Sequence, residues 1–329
     1  MQRLFIVGAG AWGTALGQVA ARAGREATIW AHEVEVAEAI NRHHENPAFL
    51  PGVELDHHVR ATTELADAAR ADAVLLAVPA QFLRDVAGRL RTEAPLLICA
   101  KGIEQGTGAL MTEVCAAVLP DARIAVLSGP TFADEVARGL PTAVTLAATD
   151  AALGHELVEA LGSRSFRPYL GDDPVGAEIG GAVKNVLAIA CGIVEGQRLG
   201  DNARAALITR GLAEMTRLAV AKGGRSETMM GLAGIGDLAL TCTGDSSRNH
   251  ALGVALGRGE SLAKILAGRR DVVEGVATAA AVSALAETLG VEMPISAAVD
   301  AILHRGAAIA DAIEALLSRP FRAESQGAR

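Results

Sequence analysis

One lysine stands inside a run that otherwise reads apolar: Gly180-Gly-Ala-Val183-Lys184-Asn185-Val186-Leu187-Ala-Ile-Ala190-Cys191. Apolar residues recur at Val183, Val186, Leu187, Ala190, Cys191 and Val194, the spacing of a helix, and the residues between them argue burial nearly all round. The run places Lys184 in the first turn of that helix. Burial and the positive end of the helix dipole would both disfavour its ammonium form and bring its pKa toward neutrality, where a lysine can trade a proton. The same stretch also allows a plainer arrangement, with the stem packed on the core and the head reaching water.

A second stretch with chemistry in it is Gly8-Ala-Gly10-Ala11-Trp12-Gly13, which follows the apolar strand Leu4-Phe5-Ile6-Val7 and leads into a helix expected over 14–23. Gly8 permits a tight turn, Gly10 lets backbone N–H groups approach a pyrophosphate, and Gly13 lets the helix pack closely. With a strand before it and a helix after it, this is a dinucleotide-binding turn. A strand over 27–31 should end at the residue that sorts NAD from NADP, because a carboxylate there binds the ribose 2′-hydroxyl and repels a 2′-phosphate. That position holds Ala31, followed by His32; Glu33 is a rival candidate, and the balance favours NADP tolerance.

Further strands are expected over 73–78, 96–100, 123–127 and 142–147, with helices between them such as 81–90 and 110–119. Strand alternating with helix implies an α/β fold, a Rossmann-type doubly wound parallel sheet. Ligands of such sheets bind beyond the carboxyl ends of the strands. Lys101 leaves one such end, where its charge could meet a phosphate or a polar oxygen, and Ser128-Gly129-Pro-Thr131-Phe-Ala133 leaves another.

From about Val175 the strand pattern stops, which sets a boundary at the Asp172-Asp173-Pro174 turn between a dinucleotide-binding domain, 1–174, and an all-helical substrate domain, 175–329. Helices are expected over 203–222, capped by Asp201 or Asn202, and over 274–289 and 295–304. Gly231-Leu-Ala-Gly234-Ile-Gly236-Asp237 has the glycine density of a backbone that passes close to something. Asp237 could accept from the Lys184 ammonium or a substrate hydroxyl, or simply cap a helix at Leu238. Arg248 offers a planar fork suited to phosphate and Asn249 an amide, while Glu274 reads as a ligand contact first, with an ordinary helix-start acid as the alternative.

Composition narrows the classes. A net charge of −8 without a basic block argues against nucleic acid and anionic membranes. The adjacent pairs His43-His44 and His57-His58 lack helical ligand spacing, and the cysteines, Cys99, Cys115, Cys191 and Cys242, are scattered, so no metal site or disulfide framework is indicated. A reducing cytoplasm is expected, and no membrane insertion, since no signal-peptide pattern and no spanning apolar run stand out.

Taken together, Gly8-Ala-Gly-Ala-Trp-Gly-Thr-Ala-Leu, Ser128-Gly-Pro-Thr-Phe-Ala and Gly181-Ala-Val-Lys-Asn-Val closely resemble the bacterial NAD(P)-dependent sn-glycerol-3-phosphate dehydrogenases. The likeness continues through Gly234-Ile-Gly-Asp-Leu, Thr241-Cys242, Ser247-Arg-Asn, Val272-Val-Glu-Gly and Glu292-Met-Pro-Ile, leaving only the tail after about Leu317 outside it. It implies reversible reduction of dihydroxyacetone phosphate to glycerol 3-phosphate with NAD or NADP, serving phospholipid synthesis, by a small-molecule enzyme expected to be a homodimer. It also implies roles for single residues. Lys184 matches the proton-transferring lysine, with Asp237 and Lys101 beside it in the catalytic group. Lys101, Gly129, Thr131, Lys184, Asp237, Thr241, Ser247, Arg248 and Asn249 match substrate-contacting positions. The glycine turn, Trp12, His32, Lys101, Ala133, Arg248, Val272 and Glu274 match cofactor-contacting ones. Two other readings stay open: a dehydrogenase of the same build acting on another small acid such as a 3-hydroxyacid, and a regulator that senses NAD(P)H without turnover.

Overall fold

The structure is a computed structural model, and it describes residues 1–244, 246–267 and 272–320 of the 329. In the first half strands and helices alternate: β1 Arg3–Val7, α1 Ala11–Arg22, β2 Glu26–Trp30, α2 Val34–His43, β3 Val59–Thr62, β4 Ala73–Leu76, α3 Leu83–Arg89, β5 Leu96–Ile98 and α4 Met111–Val118. β6 Ile124–Ser128, α5 Ala133–Ala137, β7 Thr142–Ala147, α6 Ala151–Leu161 and β8 Phe166–Gly171 complete the sheet. The strands lie in the order β3-β2-β1-β4-β5-β6-β7-β8. Chain direction reverses its march between β1 and β4, which creates the crevice where ligands of such sheets sit.

The sheet is the expected doubly wound one, every pairing parallel except β6 with β7, which is antiparallel. Along β1, Leu4 and Ile6 enter one apolar layer, and Phe5 and Val7 the other. A strand covered on both faces has no polar side to show, hence its continuous apolar run. The two strands missing from the expected set, β3 and β8, are the two edges of the sheet.

The second half is helical: α7 Pro174–Gly196, α8 Asp201–Ala221, α9 Ser226–Met229, α10 Asp237–Thr243, α11 Arg248–Gly257, α12 Leu262–Leu266, α13 Glu274–Leu289, α14 Pro294–His304 and α15 Ile309–Leu317. Asp173 starts α7 by accepting from the Gly176 N–H at 2.9 Å, with Pro174 at the first helical position. Every residue from Gly176 to Val194 is buried. α7 is long and apolar enough to span a bilayer by length and composition, contrary to the expectation that no such run exists, but 94% of its apolar window is covered by the rest of the chain. The cap expected for α8 differs as well. Asp201 is its first residue, the cap position is Gly200, and no side chain caps it.

α7 is anchored to the sheet half by a buried acid. Glu178 accepts from the Thr112 N–H at 2.9 Å and from the Thr112 hydroxyl at 2.6 Å at the start of α4, and burial pushes its carboxyl up to about 7. An acid whose pKa is raised on folding adds stability that is present below its unfolded value near 4.5 and is lost as pH rises through 7. Stability against urea should therefore fall between pH 5 and pH 8. In Glu178→Gln about 3 kcal/mol of that slope should disappear; a slope unchanged in the variant would show that other groups carry it.

Candidate active site

The glycine turn leaves β1 at Gly8, whose φ of 116° lies in the region reserved for glycine and whose pro-Cβ direction faces the Ala77 backbone at 3.1 Å. Gly10 occupies the cap position of α1 with no side-chain cap, and a Cβ added there would meet nothing within 4 Å. The space beside the start of α1 is thus left open where a side chain would intrude. This is what a dinucleotide pyrophosphate requires, so the residues present fit the cofactor. Ala11 and Trp12 form the first turn of α1, half-buried, and Gly13 packs so close to the turn that a Cβ would collide with the Gly8 carbonyl.

The strand-end expectation needs correction. β2 ends at Trp30, and Ala31 is fully buried, its N–H bonded to the Thr62 carbonyl at 2.9 Å. A side chain at 31 enters the core and does not face a ribose; the exposed residues after the strand are His32 and Glu33. Ala31→Asp should bury an unpaired carboxylate, lowering the melting temperature by several degrees with no swing from NADPH to NADH. A variant of wild-type stability and altered preference would restore the original assignment.

Lys184 lies deep in the middle of α7, not in its first turn, so the helix dipole plays no part in its chemistry. Its Nζ donates to Asp237 Oδ1 at 2.5 Å and to Thr241 Oγ1 at 2.9 Å. The other oxygen of the same carboxylate, Oδ2, accepts from Lys101 Nζ at 2.7 Å. Lys101 also donates to the Gly129 carbonyl at 3.0 Å, and Thr131 Oγ1 stands 3.5 Å away. The ammonium of Lys101 is therefore committed to protein acceptors, which makes it a brace for Asp237 rather than the open charge expected from sequence. Two protons of Lys184 are engaged and one remains.

Burial lowers the Lys184 pKa to about 8; Asp237 opposes the shift and the neighbouring Lys101 charge adds to it. Asp237 itself is completely buried. It is the first residue of α10, with Gly236 at the cap position, and not the cap before Leu238. The preceding Leu232–Gly236 segment is a wide helical turn with a kink at Gly234. Its glycine density has a visible reason: the Ala233 carbonyl lies where a Cβ on Gly180 would stand, 2.1 Å away, so α7 and this segment meet backbone to backbone. Gly181 similarly leaves room for the Lys101 stem and the Ser128 hydroxyl.

Ser247 caps α11 by accepting from the His250 N–H at 3.2 Å, and Arg248 opens that helix in an exposed position. Asn249 is buried and differs from the free amide expected. It donates to Asn185 Oδ1 at 2.9 Å and accepts from the Gly275 N–H at 2.9 Å, locking α11 to α7 and α13. Asn185 thereby joins the site, although its sequence signal was only its place beside Lys184. Glu274 opens α13 and its Oε1 accepts from the Ala80 N–H at 3.4 Å. Burial raises its carboxyl to about 7 against the opposing effects of that hydrogen bond and the Arg248 charge. Val272 is exposed just before it, and Ala133 begins α5 beyond β6. Among the described residues no three His, Cys, Asp or Glu side chains are grouped to hold a metal ion.

The sheet half thus contributes the glycine turn, Lys101, Gly129 and Thr131 from carboxyl ends of strands, and the helical half brings Lys184, Asp237 and Thr241 onto them. Residues 3–154 match the family described as NAD-dependent glycerol-3-phosphate dehydrogenase N-terminus, and residues 173–314 match its C-terminus. A glycerol-3-phosphate dehydrogenase [NAD(P)+] of Rhodospirillum rubrum is 61% identical, covering 98% of this chain and 94% of its own, and one of Parvibaculum lavamentivorans is 56% identical, covering 98% of both. Among solved structures, glycerol-3-phosphate dehydrogenase of Coxiella burnetii superposes with a TM-score of 0.92 at 39% identity, over 97% of this chain and 99% of that one. Sequence relatives, both halves of the family pattern and the shared architecture agree that the chain belongs to the NAD-dependent glycerol-3-phosphate dehydrogenase family.

Proposed function

We propose that the chain reduces dihydroxyacetone phosphate reversibly to sn-glycerol 3-phosphate with NADH or NADPH, and so supplies the glycerol phosphate of phospholipid synthesis. The observation that carries the reading is the Lys101–Asp237–Lys184 group at the carboxyl edge of a sheet that also presents the glycine turn. A protein that only sensed the dinucleotide would have no use for a buried lysine brought to about 8.

When bound, the dinucleotide supplies or takes back a hydride at C4 of its nicotinamide. Lys184 does the matching proton chemistry. As an ammonium it stabilises the developing alkoxide at C2 and gives it a proton; as an amine it accepts the proton in the reverse direction. Asp237 holds the ammonium in place and tempers the effect of burial on it, with Thr241 fixing its angle. Lys101 braces Asp237 from the opposite side. Arg248 takes the substrate phosphate as a charge-assisted fork. Gly8, Gly10, Ala11, Trp12 and Gly13 hold the pyrophosphate, with His32, Ala133, Val272 and Glu274 along the rest of the cofactor. Gly129, Thr131, Ser247 and Asn249 shape the substrate side. This division puts cofactor binding in 1–174 and most of the substrate pocket in 175–329.

Four buried free cysteines suit a reducing cytoplasm, and we place the enzyme there. A homodimer is part of the same reading, carried by the family resemblance; light scattering that gives a monomer mass would remove it.

Lys184→Ala should keep dinucleotide binding while turnover drops at least ~10²-fold, the scale of a lost general acid. In the wild type, reduction should fall as pH rises through about 8, where Lys184 loses its proton, and oxidation should rise over the same range. Limbs of the same sense in both directions would exclude Lys184 as the titrating group. Arg248→Lys should raise KM for dihydroxyacetone phosphate and lower kcat, because the remote phosphate also orients the carbonyl. Unphosphorylated dihydroxyacetone should be little affected; an equal loss for both would assign Arg248 to the cofactor or the fold.

A further inference from the structure

The loop after α2 folds back to the glycine turn and inserts one side chain, Asn46, that is completely buried. Its Nδ2 donates to the Ala9 carbonyl at 2.8 Å and to Thr14 Oγ1 at 2.8 Å, and its Oδ1 accepts from the Phe49 N–H at 3.2 Å. Both amide protons and the amide oxygen are thus engaged, and the Ala9 carbonyl, which can only accept, fixes which way the amide faces. Thr14 Oγ1 also lies 3.3 Å from the Ala9 carbonyl and can donate to it. One backbone oxygen, between Gly8 and Gly10, is held from two side chains at once.

We propose that Asn46 is a positioning residue for the dinucleotide: by holding the Ala9 carbonyl inward it aims the Gly10 N–H outward at the pyrophosphate. The reason lies in peptide geometry. In a trans peptide the C=O and the following N–H point in opposite directions, and the chain has no cis bonds among the described residues. The turn is rich in glycine, so sterics alone do not choose between the two orientations of the Ala9–Gly10 peptide. Asn46 makes the choice. The Gly10 N–H has no acceptor among the described residues, as expected of a donor kept for a ligand. An anion held by backbone N–H groups gains only from those already aimed at it, so an unfixed peptide weakens binding by the fraction of time it is turned away.

The inference rests on reading the glycine turn as the pyrophosphate site, and the experiment separates the two. In Asn46→Ala the dissociation constants and KM values for NADH and NADPH should rise about tenfold or more. At saturating dinucleotide, kcat and KM for dihydroxyacetone phosphate should stay within about twofold of wild type. A merely structural residue would do the reverse, lowering the active fraction and hence kcat while leaving KM for the dinucleotide unmoved. Thr14→Val, which removes one Asn46 partner, should shift the same constants in the same direction by less, and Thr14→Ser should restore them; this pair keeps the test valid if Asn46→Ala does not fold. Gly10→Ala places a methyl in the space left for the ligand and tests the turn itself. If it raises the dinucleotide KM while Asn46→Ala and Thr14→Val do not, the role of Asn46 is wrong and the site is right. If none of the three raises it, the turn is not the pyrophosphate site and the inference falls with it.

Discussion

The Asp237 carboxylate is the point on which the two halves of the molecule turn. It is fully buried and accepts from two ammonium groups, Lys101 from the end of β5 and Lys184 from the middle of α7. Remove it and two cations would face each other in an apolar setting, where a single uncompensated buried charge already costs about 3–5 kcal/mol. The carboxylate also sets the chemistry. Burial alone would drive the proton off Lys184, Lys101 pushes the same way, and Asp237 pulls back, so the lysine settles at about 8 and can hold or release a proton under working conditions.

That balance requires the two lysines and the acid to be held without slack, and α7 supplies the rigidity. Its residues from Gly176 to Val194 are buried, so the helix has no free face along which to slide. Close approach at Gly180 brings the kinked segment before Asp237 against it, backbone to backbone. The Asn185–Asn249–Gly275 chain of hydrogen bonds then fixes α11 and α13, which carry Arg248 and Glu274, to the same helix. A chain with so few aromatics achieves tight packing with small residues, because glycine and alanine let backbones meet where large side chains would hold them apart.

The sequence disclosed what depends on local pattern and withheld what depends on partners. The interior strands were visible because burial on both faces leaves an unbroken apolar run, as in Leu96–Ile98. The edge strands were not: β3 reads Val-Arg-Ala-Thr with one buried residue, and β8 carries Pro168 and three exposed positions. A strand with a half-solvated face and only one neighbour needs no such run. The lysine of α7 was visible as an exception to its surroundings, but its depth in the helix was hidden because the helix starts ten residues earlier, in a stretch whose Gly176, Gly180 and Gly181 disguise the period. Ala31 misled because strand-end counting gives a position and not the direction of its side chain. Asn46 and Glu178 carried no signal of their own. Each is one polar residue whose meaning comes from a backbone group far away in sequence.

The electrostatics of the site run against those of the molecule, and distance reconciles them. The chain carries a net charge of −8, which would repel a phosphate dianion and a dinucleotide alike at long range. Screening at physiological salt confines that repulsion to about 8 Å from each surface charge. Within the crevice the local sum is different: Lys101 and Lys184 share a single carboxylate, leaving a surplus positive charge. The acidic surface therefore governs solubility and discourages polyanions too large to enter. The buried cationic surplus, poorly screened, acts only on anions small enough to reach it, and selection by size follows from where the charges sit and not from their total.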